Sequence, residues 1–270
     1  MMNETKRVLA VGAHPDDIEI FCAGTLLLLQ EHGCELHMAT LTLGDCGSKT
    51  LSPDQIRRIR QNEAETACGK AGAVYHYVGL HDFDIYNTDH SNRLVAGLMR
   101  EVDPAIVFTH SPQDYLTDHE TTSLLVRNTC FYAAAPNYDT PSRVGRSSSS
   151  GIPHLFYSQP MEGIDLYGCE VIPQFYVDVS SVFERKLEML ECHESQRNWL
   201  RDHHGIDEYI ESTRRWHQYS GRRVAELCGR TVTYAEGYRQ HRGHAYPREN
   251  VLAELLGELV QCEPRWSNFS

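Results

Sequence analysis

Apolar and polar residues follow two patterns along the first half of this chain: short β-branched runs and longer stretches with helical spacing. The short runs predict strands at 7–12, 35–44, 73–80 and 105–110. The longer stretches predict helices at 18–33, 54–72, 91–102 and about 120–135. Strands that alternate with helices of this length form right-handed βαβ units and a parallel sheet. We therefore predict an α/β fold with a Rossmann-like, mostly parallel sheet, helices on both faces, and C-terminal strands and helices.

The second half of the chain has a less regular pattern. It predicts strands at 154–159 and 175–180, helices at 181–203 and 206–228, an irregular segment or short helix at 233–247, and a terminal amphipathic helix at 249–262. A polar segment rich in Ser and Gly, 137–151, separates the two halves and is expected to be a mobile loop.

The chain has the length of one large domain or two small ones. We expect a single domain over 1–270, with a Rossmann-like core at 1–136 that carries the site. Residues 152–270 would then complete both the sheet and the substrate pocket.

Composition and charge exclude some classes of partner. The chain has 270 residues and a net charge of −12 with His neutral, which disfavours nucleic acid as a partner. We find no run of about 18 apolar residues that would span a membrane, and the N-terminus lacks the apolar core of a signal peptide. The nine cysteines include no Cys-x-x-Cys pair, a pattern typical of reduced thiols. We therefore expect a cytoplasmic protein without a membrane or nucleic-acid partner.

A histidine and two adjacent acids follow the first predicted strand directly, in the segment AHPDD at 13–17. Two adjacent carboxylates repel each other and are costly to bury. One of them could cap the following helix, but this leaves His14 and the other acid unexplained. A metal site explains all three, with His14 and one Asp as ligands and the other Asp available for proton transfer. Catalytic zinc takes three protein ligands, so a third ligand is needed.

The segment after the fourth predicted strand, HSPQDYLTDH, can supply that ligand. It contains His110, Asp114, Asp118 and His119. Each of these alone is an ordinary loop residue, and Asp118 could be the N-cap of a helix that begins near Glu120. The carboxyl ends of parallel strands form one edge of a sheet, where ligands bind. We therefore expect the two clusters to meet there.

These segments resemble the PIG-L (LmbE-like) family of zinc-dependent N-deacetylases, which act on N-acetylglucosaminyl compounds and related amides. The similarity is carried by VGAHPDDIEIFCAGTL and PAIVFTHSPQDYLTDHETT, and more loosely by RQNEAETA, GLHDFD, FYVDVSSVFERKLEMLECHESQ and YAEGYRQHRG. The resemblance implies that His14, Asp17 and His119 bind one Zn²⁺ per chain, which Fe²⁺ or Co²⁺ can replace. It implies that Asp16 is the general base that deprotonates the attacking water.

The sequence departs from the family pattern at one position. Many members have a second histidine, in His-Pro-Asp-His, that stabilises the developing oxyanion, whereas this chain has Leu116 at that place. His81 and His110 are possible replacements, but each also has a structural role at a strand end; we predict His241 as a second catalytic residue, with His244 as the next candidate. An exposed histidine without a catalytic role is an equal alternative at position 241.

Three further residues are predicted to bind substrate. The resemblance places an Arg near the pocket, which suggests that Arg60 holds a substrate hydroxyl; a surface ion pair with Glu63 is the alternative. Asp82 ends the third predicted strand and could bind sugar hydroxyls or cap a turn. Asp118, next to His119, is grouped with them, although it could instead support the ligands or cap a helix.

The function predicted from these residues is removal of an N-acetyl or other N-acyl group from an amino-sugar conjugate. A metal-dependent phosphoesterase is an alternative, but two histidine ligands favour zinc over Mg²⁺, and no basic cluster is present to bind phosphate. A dinucleotide-binding module is disfavoured because GAHPDD lacks the Gly-x-Gly-x-x-Gly pattern. A catalytically inactive sugar-binding relative remains open. The resemblance also implies a homo-oligomer, a trimer or hexamer.

Overall fold

The computed structural model describes residues 5–141, 151–198 and 208–269. Its strands are β1 (Arg7–Gly12), β2 (Glu35–Thr40), β3 (Val74–Tyr77), β4 (Ile106–Thr109), β5 (His154–Ser158), β6 (Phe175–Asp178), β7 (Ala235–Gln240) and β8 (Val260–Cys262). Its α-helices are α1 (Asp17–Phe21), α2 (Ala23–Glu31), α3 (Pro53–Lys70), α4 (Asp89–Val102), α5 (Thr117–Tyr132), α6 (Phe183–Leu190), α7 (Glu208–Cys228) and α8 (Val251–Leu256). Short 3₁₀ turns lie at Met161–Gly163, Gly257–Leu259 and Pro264–Phe269.

The strands form one eight-stranded sheet in the order β3-β2-β1-β4-β5-β7-β6-β8. The first five strands of this order are parallel, and β7, β6 and β8 continue the sheet with antiparallel pairing. The predicted Rossmann-like, mostly parallel sheet with flanking helices is confirmed. Strands from both halves of the chain belong to this sheet, which joins them through the pairs β4–β5 and β5–β7.

Both faces of the sheet are covered by apolar packing. Along β1, Val8 and Ala10 belong to one buried cluster and Leu9 and Val11 to the other. The first cluster contains much of α2 and α6, and the second contains residues of α4 and α5. A strand buried on both faces needs a continuous apolar run, and this explains why β1 shows no polar alternation before it reaches AHPDD.

The helix predicted over 18–33 is two helices in the structure. The backbone of Cys22 is not helical (φ −145°, ψ 4°) and separates α1 from α2. A buried ion pair satisfies both helix ends at the break. Lys186 Nζ donates to the carbonyl oxygen of Ile20 at 2.9 Å and to Glu236 Oε1 at 2.6 Å. The Glu236 carboxylate in turn accepts the backbone N–H groups of Gly24 and Thr25 at 2.9 and 2.7 Å. The carbonyl at the end of α1 and the first N–H groups of α2 are thereby paired without water.

Two other sequence predictions are wrong in the C-terminal half. Segment 233–247 contains β7, which lies between β5 and β6. Segment 249–262 is helical only over Val251–Leu256, ends at Gly257 with φ +56°, and then forms the edge strand β8.

The predicted helix over 181–203 is interrupted: it spans Phe183–Leu190, turns at 191–193 and is helical again at 194–198, while 199–203 lie outside the described residues. Most of the loop predicted at 137–151 also lies outside them. Among the helices that the structure describes, none combines the length and the apolar character needed to cross a bilayer.

Candidate active site

The carboxyl ends of β1 and β4 bring the two polar segments of the sequence together. The two strands pair in parallel, with Val11 opposite Thr109, so the segments that follow them emerge side by side. Asp17 begins α1, and its side chain packs directly over Gly12, where an added Cβ would lie 2.9 Å from the Asp17 Cβ. Gly12 is therefore required for the close turn between strand and helix.

Three side chains converge at this edge of the sheet. The ligand atoms of His14, Asp17 and His119 all lie within 4.8 Å of one another. Asp17 is in the centre: its Oδ2 is 3.6 Å from His14 Nδ1, and its Oδ1 is 3.3 Å from His119 Nε2. The structure thus brings together the three residues that the sequence predicts as metal ligands.

In His14 and His119, the ring nitrogen on the side away from Asp17 lies next to a second carboxylate. His14 Nε2 lies 3.0 Å from Asp118 Oδ2, and His119 Nδ1 lies 3.0 Å from Asp114 Oδ1. Such pairs fix the ring and direct the other nitrogen toward the centre, as is usual for metal-ligating histidines. Asp118 also accepts the backbone N–H of Phe83 at 2.9 Å. It therefore supports His14, whereas the prediction grouped it with the substrate-binding residues. It is not the N-cap of α5 either, since that helix begins at Thr117.

The cluster attracts positive charge. Burial lowers the pKa of His14, but hydrogen bonds with Asp118 and Asp17 outweigh this effect and raise it to about 9. Burial likewise lowers the pKa of His119, while the charge of Asp17 and the hydrogen bond with Asp114 raise it to about 10. Burial raises the pKa of Asp17, yet the charges of His119 and His110 hold it well below its usual range. The carboxylates thus favour a cation, either protons on the imidazoles or a metal ion between them.

Asp16 lies beside the cluster in a left-handed backbone conformation (φ 98°, ψ −24°). Asp and Asn tolerate this region better than most residues, and such strain is concentrated at functional sites. Tyr209 donates its hydroxyl to Asp16 Oδ2 at 2.7 Å, and Arg60 Nη2 lies 3.4 Å from the same oxygen. Burial raises the pKa of Asp16 in spite of the nearby Arg60 charge.

The side chain of Arg60 passes close to the backbone of a loop that contains Gly44 and Gly47. Its Nη2 donates to the carbonyl oxygen of Pro15 at 2.7 Å. A Cβ at Gly44 would lie 2.1 Å from Arg60 Nη1, and one at Gly47 would lie 2.9 Å away. Arg60 is buried, and its planar group is held between this loop and AHPDD. The surface ion pair with Glu63 is therefore wrong; Glu63 instead accepts from Ser195.

A cavity of about 800 Å³ opens above the cluster. His14, Asp16, Asp17 and His119 form its floor. Other residues that line it include Arg60, Asp82, Phe83, Tyr115, Leu116 and Tyr209. Asp82 Oδ2 accepts the backbone N–H of Cys46 at 2.9 Å, whereas its Oδ1 is buried and has no hydrogen-bond partner among the described residues. Asp82 therefore contributes a carboxylate to the cavity wall, while its Oδ1 is enclosed by the protein.

At position 116, where the family resemblance predicts a second histidine, the apolar side chain of Leu116 lines the cavity. The neighbouring Tyr115 also lines the cavity, and its ring contacts the His119 ring edge-on at 5.6 Å between centroids. Tyr115 is 63% exposed, and its hydroxyl is protonated near neutral pH, as in an ordinary tyrosine. Sequence analysis missed both Tyr115 and Tyr209.

The structure does not bring His241 to the cavity. Its backbone N–H donates to the carbonyl oxygen of Leu155, near the start of β5, and the cavity lies at the opposite ends of the parallel strands. Its Nδ1 lies 2.9 Å from the Tyr157 hydroxyl, and its ring packs on Tyr246. The prediction of a direct catalytic role for His241 is therefore not supported by its position.

The earlier candidates His81 and His110 are also engaged elsewhere. His81 pairs with Asp45 at 2.6 Å and does not line the cavity. His110 is buried behind the cluster, with its ring stacked on His119 at 4.0 Å between centroids and its Nε2 3.0 Å from Asp17 Oδ2.

The donor set fits a divalent metal ion. Two imidazole nitrogens and one carboxylate face each other, both imidazoles are backed by carboxylates, and Asp16 remains beside them. Zinc is bound in this manner by two histidines and one carboxylate in several hydrolases.

The sequence of this chain is similar to those of known proteins. Residues 9–130 match the family described as "PIG-L: GlcNAc-PI de-N-acetylase". A 4-oxalmesaconate hydratase of Pseudomonas putida is 24% identical over 245 residues, covering 88% of this chain and 90% of that protein. A diacetylchitobiose deacetylase of Thermococcus kodakarensis is 25% identical over 200 residues, covering 72% of this chain and 71% of that protein.

Among solved structures, a 4-carboxy-2-hydroxymuconate hydratase from Pseudomonas putida has the same fold, with a TM-score of 0.73 and 23% identity. The similarity covers 91% of this chain and 98% of that one. The relatives therefore include both deacetylases and hydratases on a common scaffold. The segment 9–130, which holds His14, Asp17 and His119, is thus the part of this chain that matches the PIG-L family.

Proposed function

We propose that this protein is a metal-dependent N-deacetylase that removes an acetyl or other acyl group from an amino-sugar conjugate. The observation that carries the proposal is the cluster of His14, Asp17 and His119 at the floor of a large cavity, with Asp16 directly beside it. These three residues would hold the ion, for which we propose Zn²⁺, with Fe²⁺ or Co²⁺ able to replace it. When bound, such an ion supplies Lewis acidity, which makes water a better nucleophile near neutral pH and polarises a carbonyl group.

Asp16 is proposed as the general base. Its carboxylate lies directly beside the three proposed ligands in the cavity floor, and the hydroxyl of Tyr209 holds its Oδ2 in position at 2.7 Å. Asp16 takes a proton from water as the oxygen forms a bond to the amide carbon. The same proton then passes to the departing nitrogen as the C–N bond breaks, and a carboxylic acid and a free amine are released.

The hydroxyl of Tyr115 is proposed to stabilise the oxyanion in place of the missing imidazole. The proposal is supported by its place in the cavity wall next to His119 and by a hydroxyl that is protonated near neutral pH. A donor aimed at the developing oxyanion stabilises the transition state more than the substrate.

The charges in the cavity favour a neutral, hydroxylated substrate. Among the described residues that line it, Arg60 is the only Lys or Arg, and it is bound to Pro15 and Asp16. We propose that the carboxylate of Asp82, which lines the cavity, accepts a substrate hydroxyl, while Arg60 acts on substrate mainly by holding AHPDD in place.

A hydratase that adds water to an unsaturated carboxylate is the second candidate, favoured by the similarity to the 4-oxalmesaconate hydratase over 88% of this chain. The same base and ion would suit this chemistry. The acidic lining weighs against it, because an anionic substrate would lie near Asp82 and Asp16 with Arg60 already paired.

The test measures free amine released from a panel of N-acetylated amino sugars, with and without a chelator, and the loss of ultraviolet absorbance of 4-oxalmesaconate in parallel. Chelator-sensitive amine release from at least one sugar supports the proposal. Hydration of 4-oxalmesaconate without amine release from any sugar would replace it with the second candidate.

A further inference from the structure

The short segment 191–198, which directly follows α6, is held by acids from two other helices. At its start, His193 is fully buried, and its Nε2 lies 3.4 Å from Oε2 of the buried Glu19. Two residues further on, Ser195 donates its backbone N–H and its hydroxyl to the Glu63 carboxylate, at 2.8 and 2.6 Å. Two acids therefore fix the position of little more than one helical turn.

These acids belong to helices that also carry residues of the candidate active site. Glu19 lies on α1, the helix that begins with Asp17. Glu63 lies one turn after Arg60 on α3, and Arg60 Nη2 is 3.4 Å from Asp16 Oδ2. The segment is therefore fixed relative to the candidate metal cluster from two sides.

Within this segment, Gln196 lines the candidate active-site cavity. Its Oε1 lies 3.7 Å from the position that a Cβ would take at Gly47, and Arg60 Nη1 lies 2.9 Å from the same position. Gln196 is therefore close to Arg60, on the side of the cavity that holds Asp16. Within the part of the chain that the structure describes, its carboxamide has no hydrogen-bond partner. The segment thus presents an available amide to the cavity.

A carboxamide complements the other polar groups of this cavity. Four carboxylates line it, those of Asp16, Asp17, Asp82 and Glu162. An ionised carboxylate accepts hydrogen bonds and donates none, whereas a sugar hydroxyl both donates and accepts. The carboxamide of Gln196 offers N–H donors together with an acceptor, so it can satisfy the hydroxyl oxygens that carboxylates leave without a donor.

From this arrangement we infer that Gln196 binds hydroxyl groups of the amino-sugar ring. Its Nε2 donates to one hydroxyl oxygen, and its Oε1 accepts from a neighbouring hydroxyl. Glu63 acts through it as a positioning residue, because its hydrogen bonds with Ser195 hold the segment at the cavity wall. This inference rests on the proposed function, and it adds a residue that favours a hydroxylated ring over an apolar one.

The experiment measures binding apart from turnover. Calorimetry on the metal-loaded Asp16→Asn variant gives Kd for N-acetylglucosamine. Adding Gln196→Met, which keeps the length of the side chain but removes its donor and acceptor, should weaken binding roughly tenfold, the loss expected for one or two uncharged hydrogen bonds. Bound metal, measured by elemental analysis, and Tm should not change. Gln30→Met is the matched control, since Gln30 is exposed on α2 and does not line the cavity.

A further variant tests the role of Glu63. In the same background, Glu63→Ala should also weaken binding, and the combination of Glu63→Ala with Gln196→Met should bind no more weakly than Gln196→Met alone, because the first residue acts through the second. Losses that add in the combined variant overturn the positioning role.

The outcomes separate this inference from the proposed function. Affinity that Gln196→Met leaves intact, or lowers no more than Gln30→Met does, overturns the inference, whatever the enzyme hydrolyses. Binding of the sugar that depends on Gln196, without amine release by the wild-type protein, supports the binding residue and overturns the deacetylase. If N-acetylglucosamine does not bind to the Asp16→Asn variant, the inference is overturned as well.

Discussion

The buried Lys186–Glu236 pair provides a sharp test of how the site is positioned. Lys186 is fully buried, and its Nζ donates to Ile20 O, Glu236 Oε1 and His217 Nε2 at 2.9, 2.6 and 2.7 Å. In Lys186→Met the Glu236 charge remains buried without its cation, and the carbonyl at the end of α1 loses its donor. Removal of one partner of a buried pair costs about 3–5 kcal/mol of the free energy of unfolding.

A loss of this size is measurable by thermal and urea unfolding. For a domain of roughly this length, each kcal/mol lowers Tm by about 2–4 °C, so Lys186→Met should lower it by roughly 10 °C. Because α1 also carries Asp17, we expect weaker zinc binding by the folded variant. Adding Glu236→Gln should recover part of the stability, since the uncompensated charge is then removed.

The adjacent residue on α6 supplies a matched control. Arg185 pairs with Glu31 at the surface, and both side chains are nearly half exposed. Arg185→Met should change the free energy of unfolding by less than about 1 kcal/mol. If Lys186→Met were no more destabilising than Arg185→Met, the ion pair would not hold the helix break as we describe.

Further predictions concern the candidate site and the assembly. His119→Ala should lose bound metal and activity together, as measured by elemental analysis and amine release; full occupancy would remove it from the ligand set. Asp16→Asn should retain the metal while kcat falls by about 10²–10⁴-fold, whereas Asp17→Asn should lower metal affinity, and equal metal loss in both would refute this division of roles. Tyr115→Phe should lower kcat by roughly 10²-fold, and His241→Ala should leave kcat unchanged. The reverse result would assign stabilisation of the oxyanion to His241. Light scattering at micromolar concentration should give the mass of a homo-oligomer, and a monomer mass would contradict it.

The parallel half of the fold was predictable because its signals are local. Runs such as VLAVG and IVFT are apolar throughout since both faces of the sheet are covered, and the residues after them define the edge where ligands bind. The histidines and acids of the cluster lie in those segments, and their spacing together with the family resemblance identified them before the structure did.

The features that sequence analysis missed depend on distant partners. Ala235-Glu236-Gly237 has poor strand propensity, and it forms a central strand because β5 and β6 pair with it. Tyr209 contacts Asp16 across 193 positions of the chain, a separation with no local signal. Tyr115 does have a local signal, since it directly precedes Leu116, but a tyrosine in a loop has many other roles and is not specific for this one.

The left-handed backbone of Asp16 limits which residues can replace it during evolution. Alanine or a β-branched residue would remove the carboxylate and also disfavour the turn that places His14 and Asp17, so two properties would be lost in one step. Asparagine and glycine tolerate the turn, and each is reached from aspartate by a single nucleotide substitution. A descendant that abandons the chemistry but keeps the metal and the pocket should therefore carry Asn or Gly at position 16. The residue at this position should therefore separate related chains that retain the reaction from chains that use the same cavity for binding alone.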